Sequence, residues 1–126
     1  MNLPNKEKTF TFEYQGDLKK YEGVFTVLAH LNVGQKYALS LEKTRLLANY
    51  ANPTDDLAGF SVVLATLRTK IIESPEWWKQ SQGGATIEDE EALVALYKEV
   101  QKAEDQWREE LKKKTQPETQ STTTTT

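Results

Sequence analysis

The segment from Thr9 to Gly16, TFTFEYQG, sets Phe10, Phe12 and Tyr14 in alternation with Thr9, Thr11 and Glu13. A period of two is that of a half-buried strand. Such a strand cannot stand alone in water, so it demands a partner strand and a cover for its aromatic face. The partner follows at once in YEGVFTVLAHL, which brings Tyr21, Val24, Phe25, Val27 and Leu28 after a polar connection from Gly16 to Lys20. A β-hairpin over 9–28 is expected, with a bulge at Gly23 to keep the second strand in phase.

The cover has to be helical. From about 33 to 50, Ala38, Leu41, Arg45 and Ala48 mark a moderate stripe flanked by Leu39, Leu46 and Tyr50, and Asn52-Pro53 ends the run. A second helix over 54–73 places Leu57, Phe60, Leu64, Leu67 and Ile71 at spacings of three and four, with Thr54 as N-cap and Asp55 and Asp56 at the positive end of the dipole. Its other faces are apolar too, which predicts the most deeply buried helix. In SPEWW, Ser74, Pro75 and Glu76 open a short turn over 75–80, and SQGGA after it reads as a flexible connection.

The last helix, over 87–113, is expected to be capped by Thr86 with Asp89 in a capping box, with acids in its first turn and Lys112, Lys113 and Lys114 at its far end. Leu93, Leu96, Val100, Ala103 and Trp107 form its seam, widened by Tyr97 and Leu111. At about 40 Å it outreaches a domain of this size, so part of the seam is expected to meet a partner helix or a second copy of the chain. The fold class is therefore α+β: an N-terminal β-hairpin packed on a small helical bundle with a long C-terminal helix. One domain over 9–113 is expected, between a flexible 1–8 and a disordered, threonine-rich 114–126.

Charge and composition narrow the function. The net charge of −3 divides into +2 over 1–53 and −5 over 54–126, so no broad basic surface is available for nucleic acid. No run is apolar enough to span a membrane, and without cysteine neither a disulfide nor a thiolate metal site can form. A soluble, intracellular protein is expected. His30 is the one histidine and lies at a strand-to-helix junction, where a capping or surface role outweighs a catalytic one. The acidic clusters Asp55-Asp56 and Glu88 to Glu91 lack calcium-loop spacing and suit helix starts. Neither catalytic residues, nor a metal site, nor a cofactor is expected.

What remains is aromatic. Trp77 and Trp78 are about 100° apart on their turn, so one can plug the core while the other stays near the rim as a contact for a partner. The expected partner-binding set is Trp77, Trp78, Leu93, Leu96, Tyr97, Val100 and Trp107.

The order of Phe10/Phe12/Tyr14/Gly16, Tyr21/Gly23/Phe25/Thr26/Val27, Pro75/Glu76/Trp77/Trp78, Gly83/Gly84, and Leu96 to Val100 with Trp107 resembles the tail assembly chaperones of tailed bacteriophages, over about Thr9 to Leu111. The resemblance implies a non-enzymatic protein of the host cytoplasm that holds the phage tape-measure protein soluble during tail assembly. It also implies a longer frameshifted form, for which Lys112-Lys113-Lys114 is a candidate slippage site. The threonine-rich end departs from the family pattern. The rival reading is a structural virion protein, a head, connector or tail subunit retained in the particle, whose hairpin extends a neighbour's sheet.

Overall fold

The computed structural model describes residues 4–48 and 55–124, with side chains described over 4–48 and 59–114. Its elements are β1 (Glu7–Gln15), β2 (Lys20–Leu28), α1 (Val33–Leu47), α2 (Asp55–Lys70), β3 (Ile71–Glu73), α3 (Glu76–Lys79) and α4 (Glu90–Thr124). The three strands form one antiparallel sheet in the order β1-β2-β3, so the fold is α+β with a long C-terminal helix. The expected Tyr50, Pro53 and Thr54 helix signals lie outside the described residues.

The hairpin pairs from Glu7↔Leu28 to Gln15↔Lys20 without a register shift, so no bulge forms at Gly23. Strict alternation instead puts Tyr21, Gly23, Phe25 and Val27 on the inner face and leaves Val24 exposed. Gly23 leaves a gap in that face, opposite Phe12. Pro75 fills it: a Cβ on residue 23 would lie 2.6 Å from the Pro75 Cβ. Trp77 then packs its ring among Phe12, Tyr21 and Phe25 at centroid distances of 6.3, 5.2 and 5.6 Å, and its indole N–H donates to the Glu22 carbonyl at 2.9 Å. β3 reaches only Thr26 and Val27 of β2; Trp77 satisfies β2 beyond that point, where a bare carbonyl would otherwise lack a partner.

α4 closes the core from the other side. Ala92, Leu93, Leu96, Val100, Ala103 and Trp107 are all buried, and with Phe12, Tyr21, Phe25, Val27, Leu67 and Trp78 they make up most of the hydrophobic core. The six buried seam positions make α4 the larger apolar contributor, while α2 is the most deeply buried helix, as expected: among its described side chains, 59–70, only Gly59 is exposed. On α2, Leu67 is fully buried while Phe60 and Leu64 are half-buried against the core. Ile71 belongs to β3, because helix α2 stops at Lys70 and the β-branched Ile71-Ile72 pair enters the sheet ahead of Pro75.

Four local expectations change. α4 begins at Glu90, three residues later than expected, since Asp89 accepts the Tyr21 hydroxyl at 2.9 Å and so ties the helix start to β2 rather than completing a capping box with Thr86. The SQGGA stretch is a packed turn. Ser81 is buried, with its hydroxyl donating to the Trp78 carbonyl and accepting from the Gly84 N–H, and Gln82, Gly83 and Gly84 have φ of 55°, 66° and 90°. The N-terminus is pinned from Pro4 onward: Pro4 is buried, its carbonyl accepts the Trp107 indole N–H at 3.3 Å, and the Lys6 carbonyl accepts the Ala29 N–H. Helix α4 also runs to Thr124, through the segment expected to be disordered.

Trp78→Ala and Trp107→Ala should each lower unfolding free energy by about 3–5 kcal/mol in urea titrations. Gly84→Ala should cost roughly 1–3 kcal/mol, because its left-handed φ is combined with Leu64, Trp78 and Leu93 atoms at 3.0–3.3 Å from the added Cβ.

Candidate partner-binding surface

The seven residues expected to bind a partner are brought together, but inside the chain's own core. Trp78, Leu93, Leu96, Val100 and Trp107 are buried, while Trp77 and Tyr97 are half-buried and pack against them. The physical reason is the sheet. Its inner face needs a cover as long as the hairpin, and the α4 seam and the tryptophan pair supply it. Five of the seven are therefore core residues rather than partner anchors, and Trp77 and Tyr97 pack at the core's edge.

Among the described residues, large apolar side chains stay exposed singly at Leu18 in the hairpin connection, Val24 on β2 and Ile72 on β3, and as a group of three on α1. None of its fifteen residues is buried, and Val33, Tyr37 and Leu41 are 84%, 67% and 54% exposed. These three recur every four residues and so form one row along the helix. Leu39, Glu42, Lys43, Leu46 and Leu47 are half-buried, and their spacing makes them the face turned toward the rest of the protein. The stripe expected to be buried, Ala38, Leu41, Arg45 and Ala48, is exposed throughout. Sequence reasoning thus put the apolar row of α1 about one residue, or 100°, out of phase.

Polar contacts add to this packing of α1. Asn32 caps it, in a capping box with Gln35. Glu42 receives Arg45 at 2.7 Å and Arg68 of α2 at 2.6 Å, and Arg68 donates in turn to the Gly83 carbonyl at 2.9 Å. One arginine therefore links α1, α2 and the glycine turn. The hydrogen bonds from Arg45 and then Arg68 hold the Glu42 carboxyl down at about 2, against an ordinary value of 4.5. Beside this link a groove of about 580 Å³ opens, with Leu46, Phe60, Leu64, Ile87 and Leu93 among its walls.

His30 does not cap α1, a place taken by Asn32, and it is half-buried. Its ring stacks on Trp107 at 4.5 Å and 14°, in a cavity of about 310 Å³ also lined by Lys36, Lys70, Glu104 and Arg108. Burial, and then the charges of Lys36 and Lys6, lower its pKa. Lys70 is buried and reaches Glu104 at 2.6 Å. Burial pushes the Glu104 carboxyl up, but the Lys70 hydrogen bond and charge, with Arg108, outweigh it and leave the pKa below normal. No serine lines this cavity. Among the described residues no cluster of three or more His, Cys, Asp or Glu could hold a metal ion, and no helix is long and apolar enough to cross a membrane.

No protein-family model, curated protein or solved structure matches the chain. What the fold and this surface define is a sheet-and-helix domain with a filled core and an uncovered apolar helix face.

A carboxyl with a lowered folded-state pKa contributes stability that is complete above its ordinary value and is lost as the pH falls toward the folded value. Wild-type protein should accordingly lose stability as pH drops from about 4.5 to about 2, and Glu42→Gln should lose less over the same window. Urea midpoints across that range measure it.

Proposed function

We propose that the protein is a non-enzymatic binding protein of the tail assembly chaperone type, which keeps an apolar helical client, the phage tape-measure protein, soluble in the host cytoplasm during tail assembly. The observation that supports it is the row Val33, Tyr37 and Leu41, exposed on a helix that buries none of its own residues. Large apolar side chains gathered on one outer face are what a partner surface presents, and an aromatic among aliphatics is a common anchor. A holdase also needs a charged body that keeps the complex dispersed, and the −5 carried by residues 54–126 provides it. The groove walled by Leu46, Phe60 and Leu64 offers a second apolar contact next to the same helix.

The client is thus assigned to α1 rather than to the tryptophans. A second reading, a structural virion protein retained as a head, connector or tail subunit, draws support from the open outer edge of β1. Purified particles separate the two: a chaperone is missing from them, a subunit is present in fixed copy number.

Co-expression with the tape-measure protein should raise the client's soluble yield. Tyr37→Asp combined with Leu41→Asp should return that yield to the level without this chain, while circular dichroism and the urea midpoint stay unchanged. Equal client yield with and without the wild-type chain would contradict the proposal.

A further inference from the structure

β1 is nine residues long and lies at one edge of the sheet. The backbone bonds that continue its ladder show which way each residue points. The Lys6 carbonyl accepts the Ala29 N–H, and the Gly16 N–H donates to the Lys19 carbonyl. Both pairs continue the β1–β2 register, so the even-numbered residues of β1 exchange hydrogen bonds with β2 and the odd-numbered ones point away. The 2.9 Å approach of the Thr9 and Thr26 hydroxyls fits a non-hydrogen-bonded pair. Thr9, Thr11, Glu13 and Gln15 therefore turn their N–H and C=O groups outward, where no described strand pairs with them.

Open edges are normally guarded. Here, apart from the exposed Glu13, which pairs with Lys20 of β2 at 3.6 Å, the guard is confined to the start of the strand. Asn5 Oδ1 accepts the outward Glu7 N–H at 3.0 Å, and the inner-face Lys8 is tied to Glu110 at 2.6 Å. From Thr9 to Gln15 there is neither a proline, a lysine nor a bulge. A cleft of about 240 Å³ lined by Thr11, Phe12, Glu13, Ala95 and Glu99 leaves the middle of the strand approachable.

We propose that this edge is a self-association site, at which a second copy adds its own β1 antiparallel with Thr11 on the twofold axis, making one continuous six-stranded sheet. The register follows from the sequence. Outward groups must face outward groups, so odd residues oppose odd residues. With Thr11 opposite Thr11, Thr9 meets Glu13 and Glu7 meets Gln15 on the outer face, while Phe10 meets Phe12 and Lys8 meets Tyr14 on the inner face. No like charges face one another. Sliding two residues one way sets Glu7 against Glu13 twice, which is destabilising, and sliding the other way shortens the pairing. A symmetric, self-complementary contact of this kind closes at two copies and does not propagate. The site is independent of the client assigned to α1.

Two variants test it. Thr11→Pro removes an outward N–H that β2 does not use, so the fold should persist with unchanged circular dichroism and urea midpoint. Sedimentation should give a dimer for wild type and a dissociation constant at least about tenfold weaker for Thr11→Pro. The chain has no cysteine, so Thr11→Cys supplies a single reporter. Hydrogen-bonded partners across an antiparallel pair have Cα atoms about 5.5 Å apart, within disulfide range, and Thr11→Cys should cross-link to a covalent dimer under mild oxidation where Thr9→Cys does not. A wild-type mass that stays monomeric up to about 1 mM, equal cross-linking of the two cysteine variants, or a dimer that Thr11→Pro leaves intact would each overturn the proposal.

Discussion

Pro75 occupies the space that a side chain at residue 23 would take, and the packing around that contact depends on it. Gly23 is the one gap in an inner face otherwise made of Tyr21, Phe25 and Val27, facing Phe12 across the hairpin. Because the gap is there, the chain after α2 can lie directly on the sheet. Pro75 enters, Trp77 settles against three aromatic rings and caps the Glu22 carbonyl, and Trp78 turns the other way into the core under α4. Adjacent tryptophans are useful here because neighbouring residues on a helical turn diverge by about 100°: one seals the sheet and the other fills the interior. Any side chain at position 23 would displace Pro75, and both rings with it.

That arrangement decides what is left for partners. With the tryptophan pair and the α4 seam used internally, the exposed apolar row is on α1, and the longer of the two sheet edges is on β1. α1 is attached through Asn32, Glu42 and Arg68 as well as through its half-buried leucines, so its outer row is held in position without being covered. The interior keeps its charges paired: Lys70 is buried against Glu104, which also takes Arg108. Removing one partner of such a pair is costly because the other is left buried and uncompensated. His30, on the face of Trp107, completes that end of the core.

The hairpin and the run of helices were legible because Phe10/Phe12/Tyr14 and Leu93/Leu96/Val100/Ala103/Trp107 carry unmistakable periods. Other features were not, for different reasons. β3 has three residues, too few to show any period. The Gly23–Pro75 contact joins positions 52 apart in the chain, and nothing local announces it. The α4 seam was read as a partner face because an apolar stripe looks the same whether its cover comes from the same chain or from another. On α1 the signal was present but misphased: Val33, Tyr37 and Leu41 stand four apart in the sequence, while Ala38, Arg45 and Ala48 drew the stripe toward the wrong side. The free edge of β1 needed the register, which is a property of the fold.

The three tryptophans belong to the chain's own packing, and the partner surfaces proposed for it lie elsewhere. Acrylamide quenching of the intrinsic tryptophan fluorescence of the purified chain tests that most directly. Blue-shifted emission with poor quencher access, unchanged when client is added, is expected. Emission at the position of free indole, quenched freely in the isolated chain and protected on binding, would contradict it.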